Sequence, residues 1–270
     1  MEWMTAYLLL GATVGLLGGL FGIGGGTVLV PVLLFLFDAQ HFPAEHLLHL
    51  ALGTSMATII FTALASLYKH HQHKAVNWNV VRTITPGILI GTALGTLLAT
   101  SIPAHLLGLI FALFVYFAAA QILFDIRPPA SRQLPGNFAV RLFGVFAGTL
   151  SSLVSIGGGT VVIPYLLWSN LTIRQAIGTS AAISFPVAIG GTIGYVATGL
   201  NAPGLPAFTL GYVYLPCLLW TAAASVITAP LGARAAHQMK IVMLRKLFAV
   251  LLLALATQLL FKVSLNGFHP

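Results

Sequence analysis

Three consecutive glycines set in an apolar run occur twice in this chain, in matching surroundings: Gly22-Ile23-Gly24-Gly25-Gly26-Thr27-Val28-Leu29-Val30-Pro31 and Ser155-Ile156-Gly157-Gly158-Gly159-Thr160-Val161-Val162-Ile163-Pro164. Each glycine costs about 1 kcal/mol in a helix interior relative to alanine, so a helix breaks at each triplet. The apolar run after each break is only ten or eleven residues long, Thr27 to Phe37 and Thr160 to Ser169. At 1.5 Å per residue it reaches roughly 15–17 Å, about half of a bilayer's hydrocarbon core. A run of that length starting at one membrane face has its glycine end near the midplane.

That reading presupposes a membrane, and the composition requires one. With 58% hydrophobic residues, 6% charged residues and a mean hydropathy of +0.99, the chain cannot present a water-soluble surface. The formal charge of +8 does not point to nucleic acid, because the basic residues fall in short loops between apolar segments. Met1-Glu2-Trp3-Met4 lacks the basic start of a secretory signal, so the first apolar stretch is expected to be a retained helix. The one cysteine, Cys217, lies inside an apolar segment; it suggests neither a disulfide nor a metal site, and no cofactor is implied.

Apolar segments are expected at Trp3 to Phe21, Thr27 to Phe37, Leu47 to Tyr68, Val80 to Thr100 and Ala104 to Phe124. After a Pro-rich polar stretch the pattern returns at Phe138 to Val154, Thr160 to Ser169, Gln175 to Thr198, Ala207 to Ala233 and Ile241 to Phe261. The halves also share Gly53-Thr54-Ser55 with Gly178-Thr179-Ser180, and Ile110 to Phe124 with Leu247 to Phe261. An internal duplication follows: residues 1–125 form a first membrane repeat, 126–137 a cytoplasmic linker and 138–270 a second repeat.

Orientation is read from Lys and Arg. Placing Lys69, Lys74 and Arg82 in the cytoplasm puts Arg127, Arg132, Arg141, Arg174, Arg234, Lys240, Arg245 and Lys246 there too, and leaves only Lys262 of the twelve outside. Both termini are then external, and the two repeats run in opposite directions. The expected fold is therefore an all-α membrane protein of two inverted-topology repeats, with about eight to ten membrane segments. Two of these are broken half-helices whose N-termini meet at the midplane. Such ends carry unpaired N–H groups and a partial positive charge, which suits a small anion.

The candidate substrate-binding residues are Gly24, Gly25, Gly26, Thr27, Thr54 and Ser55 in the first half, with Gly157, Gly158, Gly159, Thr160, Thr179 and Ser180 in the second. Their N–H and hydroxyl groups can donate to an oxyanion without a buried charge. His49 and Arg174 each lie four residues before the Gly-Thr-Ser glycine and are read as vestibule residues that attract the anion. No Asp or Glu falls in the central part of any apolar segment, so a carboxylate proton relay or sodium site is excluded. His70, His71 and His73 read as part of a titratable loop rather than a metal site, since Lys69 and Lys74 adjoin them. Gly11, Gly15 and Gly19, like Gly87, Gly91 and Gly95, recur every fourth residue, a spacing that lets membrane helices approach closely.

The duplicated Gly-rich break with its following proline, Gly24 to Thr27 with Pro31 and Gly157 to Thr160 with Pro164, together with Gly53 to Ser55 and Gly178 to Ser180, resembles the TauE/SafE family of sulfite exporters, also described as anion permeases. The likeness covers nearly the whole chain. It implies export of sulfite, or a related organosulfur anion such as sulfoacetate, across a bacterial inner membrane. Alternating access is the expected mechanism; an anion channel or a uniporter for another small anion is the alternative.

Overall fold

Long runs of apolar residues without charge can satisfy their main-chain polar groups in a bilayer only by coiling, and helices dominate accordingly. The computed structural model describes residues 2–21, 25–124, 134–238 and 242–266. The first half comprises α1 (Glu2–Phe21), α2 (Gly26–Ala39), α3 (Leu47–Gln72), α4 (Trp78–Ser101) and α5 (Ala104–Leu123). The second comprises α6 (Asn137–Leu153), α7 (Gly159–Trp168), α8 (Ile173–Gly199), a hairpin of β1 (Thr209–Leu210) and β2 (Val213–Tyr214), α9 (Leu215–Gln238) and α10 (Val242–Asn266). Six of the described helices, α1, α3, α4, α5, α8 and α9, are long and apolar enough to cross a membrane. Gly24, Arg127, Arg132, Lys240 and residues 126–133 of the expected linker lie outside the described residues.

Every major helix pairing joins one half of the chain to the other: α1 lies along α9, α4 along α6, α3 along α8, and α5 along α10. Glycines permit the closest of these. A Cβ on Gly11, Gly15 or Gly19 would fall on the main chain of Thr221, Ser225 or Ala229, and Gly87 and Gly91 stand likewise against Arg141 and Val145 of α6. In α3 and α8, 72% and 67% of the apolar window is buried, against 39% in α5 and α9, so α3 and α8 form the centre. Leu89, Ile90, Leu94, Leu97, Leu113 and Phe117 are exposed on the outer helices, the surface that acyl chains cover.

One expected segment is corrected. The run from Ala207 to Ala233 is not a single helix: its first residues form the hairpin, with Thr209 opposite Tyr214 and Leu210 opposite Val213. Gly211 turns the chain at φ +55, and α9 begins only at Leu215.

Candidate functional site

The two half-helices start alike. Gly25 (φ 79, ψ −4) and Gly158 (φ 82, ψ −14) are the N-cap residues of α2 and α7, both in the left-handed region where a side chain is costly. Neither cap offers a side-chain hydrogen bond. Gly25 carbonyl accepts from the N–H groups of Val28 and Leu29, and Gly158 carbonyl from those of Val161 and Val162. The N–H groups just ahead of these, on Gly26, Thr27, Gly159 and Thr160, have no partner among the described residues. α2 runs 14 residues and α7 runs 10, about 21 Å and 15 Å.

The breaks touch. A Cβ on Gly26 would fall on the carbonyl oxygen of Ser155, so only glycine lets the first break lie against the second. Ser155 stands at φ +48 and is fastened to the first half by its hydroxyl, which donates to Leu52 carbonyl of α3 at 2.8 Å. The Ser184 hydroxyl of α8 lies between Gly157 carbonyl and Ser180 carbonyl, which share its one proton. The surroundings differ between halves: Gly25 is pressed by Val14, whereas the space beside Gly158 is bordered by Val162, the Ser151 hydroxyl and Val187 at 3.5–3.9 Å.

Four buried hydroxyls on the joined elements have no partner among the described residues: Thr27 Oγ1, Ser55 Oγ, Ser151 Oγ and Thr160 Oγ1. A buried polar group left unpaired costs about 1–3 kcal/mol. Unpaired donors in the first turn of a helix, as at Thr27 and Thr160, suit an oxyanion. Ser151 is the member that symmetry reasoning passes over, because its counterpart one turn or so before the first break is Gly18 rather than a second serine.

Thr54 and Thr179 are engaged otherwise. Thr54 Oγ1 accepts the N–H of Tyr214 at 2.9 Å, and Thr179 Oγ1 accepts that of Asn77 at 2.9 Å. Each therefore holds the connection that leads into a helix of the opposite half. The preceding glycines allow the approach: a Cβ on Gly53 would fall on Tyr212 carbonyl, and one on Gly178 would lie 2.6 Å from Ala75 carbonyl. Ser180, matched to Ser55, is buried and has a partner.

The vestibule pair is not equivalent. His49 is buried under the hairpin, its Nε2 3.1 Å from Ala99 carbonyl and its ring centroid 5.1 Å from that of Tyr212. Nε2 must carry the proton to make that contact. Arg174 is exposed in the first turn of α8, beside the capping box of Thr172 and Gln175. The reading of His70 and His71 as loop residues is corrected too, since α3 continues to Gln72. The histidines diverge: His70 is buried, while His71 Nδ1 accepts from Trp78 Nε1 at 3.2 Å.

Broken helices meeting in the interior of a multi-pass helical membrane protein define a membrane-transport fold. Comparison with known proteins gives the family. The model of the sulfite exporter TauE/SafE family matches residues 7–259, and the chain belongs to that family. It is 35% identical to a probable membrane transporter protein of Haemophilus influenzae, over 94% of this chain and 97% of that one. It is 31% identical to a probable membrane transporter protein of Methanocaldococcus jannaschii, over 83% of each. A probable membrane transporter protein of Bacillus subtilis is 31% identical over 68% of this chain and 76% of its own length. No solved structure matches.

Proposed function

We propose that the protein is a carrier that exports sulfite or a related small organosulfur anion, such as sulfoacetate, by alternating access. The observation that carries this reading is the contact of Gly26 with Ser155, together with the unpaired buried hydroxyls of Thr27, Ser55, Ser151 and Thr160 on the elements that join there. The anion is held by the first N–H groups of α2 and α7 and by these hydroxyls, with Gly24 and Gly157 completing the two breaks. Thr54 and Thr179 hold the scaffold around it, and Arg174, with His49, biases the approach toward anions. The two halves are inverted repeats, 1–125 and 138–270, joined by a cytoplasmic linker. The pairing pattern supports this: α3 packs on its counterpart α8 and α5 on its counterpart α10, while α1 with α9 and α6 with α4 are equivalent pairs, as a two-fold exchange of the halves requires. The basic residues favour an inner-membrane orientation with both termini external.

Reconstituted into liposomes, the protein should exchange labelled sulfite against unlabelled sulfite or sulfoacetate with saturable kinetics, and the Gly25→Leu, Gly158→Leu variant should not. Single-channel conductance in place of saturable exchange would make it a channel. Absence of exchange with any sulfur oxyanion would remove the substrate assignment.

A further inference from the structure

α3 carries a polar feature that the glycine-break site does not use. Thr58, Thr62, Ser66 and His70 follow Thr54 at every fourth residue, each about 40° further round the helix than the last, and so form a row that slants around α3; none is more than 2% exposed. α9 supplies matching hydroxyls: Thr58 Oγ1 lies 3.0 Å from Thr221 Oγ1, and Thr62 Oγ1 donates to Ser225 Oγ at 2.9 Å. Ser66 Oγ, fully enclosed, has no partner among the described residues. His70 closes the row, with Nε2 3.4 Å from Gly19 carbonyl of α1.

The second half has no such row. Setting Thr54 against Thr179 sets Thr58 against Ile183, Thr62 against Val187, Ser66 against Gly191 and His70 against Tyr195. At those positions α8 carries two apolar side chains, a glycine and Tyr195, whose hydroxyl donates to Ser152 carbonyl, so the duplicated fold does not require a run of hydroxyls there. Thr58 and Thr62 also bond the carbonyls of Thr54 and Thr58 one turn back, so the unpaired Ser66 hydroxyl and the buried, ionisable His70 are the members of the row that mark function.

We propose that this row conducts protons between the glycine breaks and the membrane face that bears Lys69 and Lys74, making the protein proton-coupled; the coupling, though not the path, rests on the transport reading above. The path is closed to anions by hydroxyl contacts at 2.9–3.0 Å and by complete burial, whereas a proton needs no open bore. Successive hydroxyls stand one turn apart, about 6 Å, a gap that one water molecule bridges. A hydroxyl both donates and accepts, so each oxygen takes one proton and releases another. His70 takes up a proton from the aqueous side and becomes imidazolium, then passes a proton to the oxygen at Ser66 and returns to neutral; no group is altered by a passage. Lys69, His71, His73 and Lys74 adjoin His70 in the chain, and α9, packed against α3, carries Arg234 as the one charged side chain among its described residues. α1 presents Gly19 carbonyl and, among its described residues, no titratable group at this level. No carboxylate lies in the central part of any apolar segment to offer another route.

The test uses proteoliposomes carrying the full chain and an internal pH dye, potential-clamped, with equal sulfite on both sides, and protein-free vesicles as the baseline. After an acid step, wild-type vesicles should acidify faster than the baseline. Ser66→Ala and Thr62→Val, each opening a gap of about 12 Å, should abolish at least about nine-tenths of that excess, as should His70→Gln. Labelled sulfite exchange, which moves no net proton, should stay within about twofold of wild type in Ser66→Ala and Thr62→Val, since neither residue lies at the breaks. Variants that acidify at the wild-type rate, or wild-type vesicles no faster than the baseline, overturn the proposal. Loss of sulfite exchange in the wild type with row-dependent acidification intact would refute the anion assignment and leave the path standing.

Discussion

Thr27→Val and Thr54→Val are the same chemical change at two fully buried threonines, and the structure sends them in opposite directions. Thr54 accepts the N–H of Tyr214 at 2.9 Å, and valine strands that donor in the interior. The loss is about 1–3 kcal/mol, which at about 2–4 °C per kcal/mol for a chain near this size lowers the melting temperature by roughly 2–12 °C. Thr27 Oγ1 has no partner to lose. Valine there removes an unsatisfied polar group of nearly the same volume, so the anion-free protein should melt no lower than wild type and up to several degrees higher. With anion bound the order reverses, because a hydrogen bond to a charged ligand is worth about 1.5–3 kcal/mol, or roughly 10- to 150-fold in affinity. Thermal unfolding of the purified protein with and without sulfite, together with the half-saturation concentration for exchange, reads both quantities. Thr27→Val should raise half-saturation at least about tenfold and lose most of the sulfite-induced rise in melting temperature; Thr54→Val should keep wild-type half-saturation and melt lower. Thr160→Val and Thr179→Val should repeat the contrast in the second half. If Thr27→Val destabilises as Thr54→Val does, or both shift half-saturation equally, the division between ligand and latch is wrong.

Gly53→Ala and Gly178→Ala each drive a methyl into a main-chain carbonyl, of Tyr212 and Ala75 respectively. Both should cut the yield of monodisperse protein in size-exclusion chromatography, with the larger loss at Gly53. Ser155→Ala removes the hydroxyl that ties the second break to Leu52 carbonyl and should cost about 1–3 kcal/mol in thermal unfolding. Ser155→Gly loses the same bond but relieves a positive φ, recovering about 1 kcal/mol of it.

The helices were legible where two signals agreed, an apolar run and the glycine, proline or charged residues that end it; α3, expected to end at Tyr68, runs on through Lys69 and His70 to Gln72. The segment from Ala207 failed for the opposite reason. Thr209-Leu210-Gly211-Tyr212-Val213-Tyr214 is uncharged and runs straight into the helix that follows, and only Gly211, in a two-residue turn between β-forming pairs, marks the hairpin. The Gly-Thr-Ser repeats were recognisable as a pair, but not their division of labour. Thr54 is held by a residue 160 positions away and Thr179 by one 102 away, contacts that no local pattern encodes. Ser151 escaped because matching the halves directs attention to residues present in both. The hydroxyl row of α3 was visible at every fourth residue from Thr54 to Ser66, and its meaning came only when burial extended it to His70.

That the two breaks meet at the substrate is tested most directly by the rate of labelled sulfite exchange by Gly26→Ala beside Gly158→Ala in proteoliposomes of equal protein content. Gly158→Ala adds a methyl with ordinary contacts, nearest Val162 at 3.5 Å, and meets only the cost of its positive φ, about 1–2 kcal/mol; exchange should fall by no more than roughly 30-fold. Gly26→Ala has an ordinary backbone but sets a methyl on Ser155 carbonyl, forcing the breaks apart, and exchange should vanish. Wild-type exchange by Gly26→Ala would contradict the account.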